Sequence, residues 1–257
     1  MTIIQSQLLV DNLIPSSHLD VQVIENKLVH GDFFEEIKKI PNHYFDLVIA
    51  DPPYAINATS MGSRTLITDY MVMKPFFEQF FKDTERVSTS SSSMFMFCDW
   101  RTYPLIWLAS ASSSWKITNL IVWDFNWIKA GFGFRYTHEL IAYFTKPDTL
   151  SPQDRSLSDV WRFKTLNFTD GSRLLETQKP LDIILHIIDN APKPVNKVLD
   201  PFAGSGTVSI GCKIRKINCL AYEINPINYQ IANDRITQES KQAILSSEEE
   251  AKVEGGR

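Results

Sequence analysis

The sequence predicts an α/β fold in which a mostly parallel sheet is covered by helices on both faces. Strand-like apolar runs alternate with amphipathic stretches of helical spacing along most of the chain. One run, VIA at 48–50, stops at Asp51, Pro52 and Pro53, which must leave a strand in a stiff extended turn because proline has no amide hydrogen for a sheet. Another, KVL at 197–199, leads into a glycine turn and then a helix. The 257 residues, 44% hydrophobic and 22% charged, are ample for a large core in one domain spanning about 1–245.

The elements follow in order. VQVIENKLVHG, from about Val21, reads as a first strand and FFEEIKKI as a short helix. YFDLVIA is a buried strand, and MKPFFEQFFKDTERV places its phenylalanines at helical spacing. MFMFCDW is a second buried strand, PLIWLASAS a helix, and ITNLIVWDF and HELIAYFTK two more strands. KPLDIILHIIDNA, VSIGCKIRK and PINYQIANDRITQES read as helices, with strands at NKVLD and INCLAYE between them. Stretches near 55–72 and 147–172 are rich in Ser, Thr, Asp and Pro without sustained periodicity, which marks surface excursions. The charged end, 246–257, has too few apolar residues to fold and is expected to be disordered.

Composition narrows the function classes. A formal net charge of −4 excludes a binder that attracts nucleic acid by its overall charge, so any DNA contact must use a local positive surface. No basic stretch leads into a long apolar segment near the N-terminus, and no run is long enough to span a bilayer, so a cytoplasmic protein without membrane contact is expected. Cys98, Cys212 and Cys219 lack metal-type spacing and read as reduced core residues, and no metal site is expected.

Two motifs carry chemistry. DPFAGSGT at 200–207 puts Gly204 and Gly206 where a backbone approaches a ligand closely, but it lacks the G-K-[ST] ending of a phosphate loop and has Ser209 where a dinucleotide loop has its third glycine. Nineteen positions beyond Gly204, Glu223 ends a strand, where an acid can accept hydrogen bonds from both ribose hydroxyls. With Asp200 before the turn, these residues suit a ligand with an adenosine end and a positively charged amino-acid end, as in S-adenosylmethionine. A structural glycine turn beside a surface glutamate would look the same.

The second motif, DPPY at 51–54, joins the first. DPPY, with TQKP at 177–180 preceding DPFAGSGT, resembles the β class of DNA amino-methyltransferases, which modify the exocyclic amine of adenine or cytosine. The likeness runs from about Leu28 to Arg235. It implies a Rossmann-like S-adenosylmethionine-dependent methyltransferase fold, a seven-stranded mostly parallel sheet, and a circularly permuted order with the catalytic motif first.

The resemblance also implies roles. Such an amine is a poor nucleophile because its lone pair is delocalised into the ring. Asp51 and the Pro52 carbonyl would accept its two N–H bonds and aim the lone pair at the methyl group, with Pro53 stiffening the turn. Tyr54 would stack on a base flipped from duplex DNA, a contact worth about 1–3 kcal/mol. Asp200, Phe202, Gly204 and Gly206 would line the cofactor's methionine and ribose, Glu223 its ribose hydroxyls, and Asp32 and Phe33 its adenine. Thr177, Gln178 and Lys179 would lie near its carboxylate, with Lys179 the counter-charge. Plainer roles compete: Asp32 as a helix cap, Lys179 as a solvated lysine, Phe202 as core.

Asp rather than Ser or Asn at position 51 points to adenine-N6 over cytosine-N4, and it also argues against RNA or protein-amide substrates. A binder that kept the fold without catalysis would not need both motifs intact. WIKAGFGFRYTHE at 127–139, with Lys129 and Arg135 among aromatics, is a third candidate DNA-contact loop. The family context allows a homodimer and a partner restriction endonuclease.

Overall fold

A computed structural model describes residues 26–54, 70–129, 133–166, 173–192 and 194–238. Its strands are β1 (Lys27–His30), β2 (Phe45–Ala50), β3 (Ser88–Cys98), β4 (Lys116–Asp124), β5 (His138–Thr145), β6 (Val160–Arg162), β7 (Lys197–Asp200) and β8 (Asn218–Glu223). Its helices are α1 (Phe33–Glu36), continued by a 3-10 turn at Ile37–Lys39, then α2 (Tyr70–Val87), α3 (Tyr103–Ser110), α4 (Leu181–Asn190), α5 (Thr207–Ile214) and α6 at 226–238. Every predicted strand and helix within the described residues is present, close to its expected place. The strand predicted from Val21 is described only from Lys27, and the tail at 246–257 lies outside the described residues.

The strands form one sheet in the order β1-β8-β7-β2-β3-β5-β4-β6. From β1 to β3 all neighbours are parallel; β5 runs antiparallel to both β3 and β4. The sheet has eight strands among the described residues, not the expected seven. The extra one, β6, lies inside the excursion at 147–172 and pairs parallel with β4 through Trp123↔Trp161. Three residues are too short to show periodicity, but the buried Trp161 anchors them, its indole N–H donating to the Ser158 carbonyl at 2.9 Å. Of the excursion predicted at 55–72, residues 55–69 lie outside the described residues and 70–72 belong to α2, which begins at Tyr70.

Alternation along the strands separates two cores. Val48, Met94, Met96, Ala142, Phe144 and Tyr222 face the layer of α1, α2 and α3, where Phe33, Phe77, Phe80 and Phe81 pack. Leu47, Ile49, Phe95, Ile141, Cys219 and Ala221 face α4 and α5, with Ile183, Ile184, Ile187, Ile188 and Cys212. All three cysteines are buried and unpaired, as expected. Among the described residues, no helix is long and apolar enough to cross a membrane.

Phe81 on α2 is fully buried and its ring centroid lies 5.3 Å from that of Phe144 on β5, so it locks helix to sheet. Phe81→Ala should cost about 3–5 kcal/mol of stability in urea unfolding followed by circular dichroism.

Candidate active site

The chain places its two motifs side by side. β2 pairs with β7 through Leu47↔Val198 and Val48↔Leu199, so Asp51 and Asp200 leave neighbouring strands at the same edge of the sheet. β7 has β8 on its other side, and these carboxyl ends open on a cleft of about 1400 Å³. Of the residues singled out from the sequence, Asp32, Phe33, Asp51, Pro52, Pro53, Tyr54, Thr177, Gln178, Lys179, Asp200, Phe202, Gly204 and Glu223 all line it. Gly206 does not.

At the first motif, the Lys179 ammonium donates to Asp51 Oδ2 at 2.7 Å. The Tyr54 hydroxyl lies 2.9 Å from Asp51 Oδ1 and 2.7 Å from Glu139 Oε1. Lys179 Nζ is also 3.8 Å from Glu139 Oε1 and 4.9 Å from the centre of the Phe97 ring. Burial pushes the Asp51 carboxyl above its ordinary value, against the pull of Lys179 and with a push from Glu139. Burial and the two carboxylates raise the Tyr54 phenol well above its ordinary value. Lys179 feels desolvation downward, but the two acids outweigh it and hold the ammonium charged.

Lys179 is not the solvated lysine that the sequence also allowed: its side chain is 11% exposed and pairs with Asp51, because the segment before α4 brings its ammonium to the end of β2. Its neighbours are plainer: the Gln178 side chain accepts the Leu174 N–H at 2.7 Å and closes a turn, and Thr177 is exposed.

At the second motif, Gly204 and Gly206 both have positive φ, +53° and +77°, a region that favours glycine. A Cβ on Gly204 would come no nearer than 4.0 Å to another atom, whereas one on Gly206 would lie 3.1 Å from Ile236 Cδ1 and 3.2 Å from Ala232 Cβ. The first glycine faces the cleft; the second lets α6 pack against the turn. Glu223 Oε2 accepts the Gly204 N–H and Oε1 the Asn225 N–H, each at 2.8 Å, which aims the carboxylate at the glycine turn.

Asp200 is 2% exposed, and burial pushes its carboxyl up to about 8. Oδ1 accepts the Phe202 N–H at 3.2 Å, while Oδ2 is buried without a hydrogen-bond partner among the described residues. A lone buried carboxylate oxygen costs free energy unless a donor reaches it, so the site suits a ligand carrying an ammonium group.

Asp32 does cap α1, its Oδ1 accepting the Phe34 N–H at 2.9 Å, yet it remains exposed at the cleft. Phe33 is core and Phe202 half so, stacked on Phe80 at 5.9 Å. In the loop at 127–139, Lys129 Nζ sits 3.9 Å from the Phe125 ring centre and Phe134 is fully exposed. Trp100 donates to the Tyr136 hydroxyl at 3.0 Å and Trp127 to Thr165 Oγ1 at 2.7 Å, giving the cleft an aromatic rim.

Glu139 was not singled out from the sequence. It stands second in β5, and because β5 is antiparallel its first residues open on the same edge as the last residues of β2 and β7. An acid opening an otherwise apolar strand, HELIAYFT, was the available signal.

The fold and cleft are those of a Rossmann-like methyltransferase. The family model for DNA methylase of the N6/N4 type matches residues 45–234, and the chain belongs to that family. It is a DNA methyltransferase of that family. Among its relatives is a protein of Escherichia coli strain K12, the DNA adenine methyltransferase YhdJ, 26% identical over 88% of this chain and 86% of the relative. Among solved structures, the M1.HpyAVI–SAM complex superposes with TM-score 0.63 at 22% identity, covering 81% of this chain and 98% of the other. The cytosine-N4-specific PvuII DNA methyltransferase gives 0.66 at 12% identity, covering 84% and 91%.

Two outcomes follow. In Gly206→Ala the strained φ and the contact with α6 should cost about 1–3 kcal/mol of stability, read by urea unfolding. For Asp200, the ordinary value is 3.8 and the folded value about 8, so between these pH values the folded ligand-free chain holds a proton that the unfolded chain has lost. Stability contributed at this position therefore falls as pH rises through that window. Asp200→Asn, which cannot ionise, should melt higher than the parent at pH 8, with the gain shrinking toward pH 4 in thermal scans.

Proposed function

We propose that this chain transfers a methyl group from S-adenosylmethionine to the N6 amine of an adenine flipped out of duplex DNA. The observation that carries the reading is Asp51: an acid heads the proline motif, at the mouth of the cleft, with a lysine and a tyrosine fixing its carboxylate. The likeness to a DNA adenine methyltransferase supports the same base.

The cofactor's residues come from the second motif. Asp200 Oδ2 takes the ammonium of its methionine end, Gly204 lets the backbone approach, and Glu223 takes the ribose hydroxyls. Asp32 and Phe33, at the start of α1, flank the adenine end. When bound, the cofactor supplies an electrophilic methyl on a sulfonium that is already a good leaving group.

The chain must therefore prepare the amine. Asp51 and the Pro52 carbonyl each accept one N–H, which turns the nitrogen lone pair out of the ring and toward the methyl. Carboxylate oxygens have further lone pairs, so Asp51 accepts the amine without releasing Lys179. Lys179 favours the ionised form of the acid against its burial, and Tyr54 offers the base an aromatic face. The rim of Trp100, Trp127 and Tyr136 faces the duplex, and the loops at 127–139 and 147–172 read its groove.

The test is to incubate the chain with radiolabelled S-adenosylmethionine and duplex DNA, digest, and identify the labelled base. N6-methyladenine is expected; N4-methylcytosine would replace the adenine reading with the cytosine one. Asp51→Ala should lower the rate by at least about a hundredfold while cofactor affinity holds, and an unchanged rate would sink the mechanism.

A further inference from the structure

We propose that Glu139 is the receiving end of a proton relay that begins at Asp51 and passes through the Tyr54 hydroxyl. The proposal rests on the reading above, in which Asp51 holds the target amine.

The geometry contains one hydrogen bond too many. The Tyr54 oxygen sits at hydrogen-bonding distance from two carboxyl oxygens, 2.9 Å from Asp51 and 2.7 Å from Glu139, yet a phenol has a single proton to donate. If both carboxyls were ionised, one contact would set lone pairs against lone pairs. Both contacts become favourable when one of the two carboxyls keeps a proton and donates it to the phenol. Lys179 Nζ, 3.4 Å from the Tyr54 oxygen, has no proton to lose here because both acids hold it charged.

Methylation of an amine leaves one proton to dispose of. The nitrogen lone pair forms the bond to the methyl carbon as the carbon–sulfur bond breaks, its electron pair staying on sulfur. The nitrogen is then left with a surplus hydrogen, which departs as a proton to the Asp51 carboxylate that accepted its N–H. Asp51 passes a proton to the Tyr54 oxygen while the phenol gives its own to Glu139 Oε1. Glu139, with 16% of its side chain exposed, returns it to water. No oxidant, reductant or second substrate is consumed.

The relay needs both carboxyls ionised at the start, so turnover should rise with pH as the shared proton leaves. The groups facing Glu139 are Asp51 and Tyr54 beyond β2, Lys179 before α4, Cys98 at the end of β3, Lys129 in the hairpin and Arg173. In the resting cluster Glu139 acts through Tyr54, which makes it a positioning and proton-accepting residue.

Glu139→Gln separates the relay from mere support, since glutamine still hydrogen-bonds Tyr54 but cannot take a proton. The first readout is independent of activity. In ligand-free protein carrying Asp200→Asn to remove that acid's signal, infrared spectroscopy should show a carboxylic-acid carbonyl band that Glu139→Gln abolishes. No such band, or a band that survives, overturns the shared proton. The second readout is single-turnover methyl transfer against pH. Glu139→Gln should be slower by at least about tenfold and lose the rise with pH, with cofactor and DNA dissociation constants within about twofold of the parent. An unchanged rate and profile overturns the relay. A parent chain that methylates neither base in DNA overturns the functional reading and the relay with it, while the infrared proton count stands separately.

Discussion

The molecule depends on two rungs of sheet pairing, Leu47↔Val198 and Val48↔Leu199. They join segments roughly 150 residues apart in the chain and put both motifs at one edge of the sheet. β7 is central, with β2 and β8 on either side, so residues leaving these strands converge without any contact between the motifs along the sequence. Closing a loop of that length costs little more entropy than closing one half as long, which is why motif order is tolerant while strand adjacency is not.

The apolar faces of the sheet make the pairing rigid, and rigidity is what the polar edge requires. Val48 and Ala50 pack toward α1, α2 and α3 while Leu47 and Ile49 pack toward α4 and α5, so β2 is gripped from both sides before it delivers Asp51. The following prolines extend that stiffness into the turn. A carboxylate delivered on a mobile loop would spend much of its time off target, and misplacement by an ångström lowers catalysis steeply.

Asp51, Tyr54, Glu139 and Lys179 form a polar cluster that adds little stability by itself, since desolvating the two acids and the base offsets much of their attraction. Asp200 is costlier still, with a buried oxygen that no group among the described residues satisfies. Both features weaken the folded state at the edge of the sheet that opens on the cleft. Phe33, Phe80 and Phe202 supply compensating apolar contact directly beneath.

Periodicity and the positions of proline and glycine determined most of the elements, because each depends on local spacing. Local chemistry also marked Asp51, Tyr54, Asp200 and Glu223, whose residue types stand out where strands end. Three things were decided only in three dimensions. The direction of β5 brings Glu139 to the site, and an all-parallel reading would have sent it to the opposite edge. The path before α4 turns Lys179 toward Asp51, and α6 explains Gly206 by a contact from residues 26 to 30 positions later. Each is a contact between segments distant in the chain, and a sequence records only what its neighbours along the chain require.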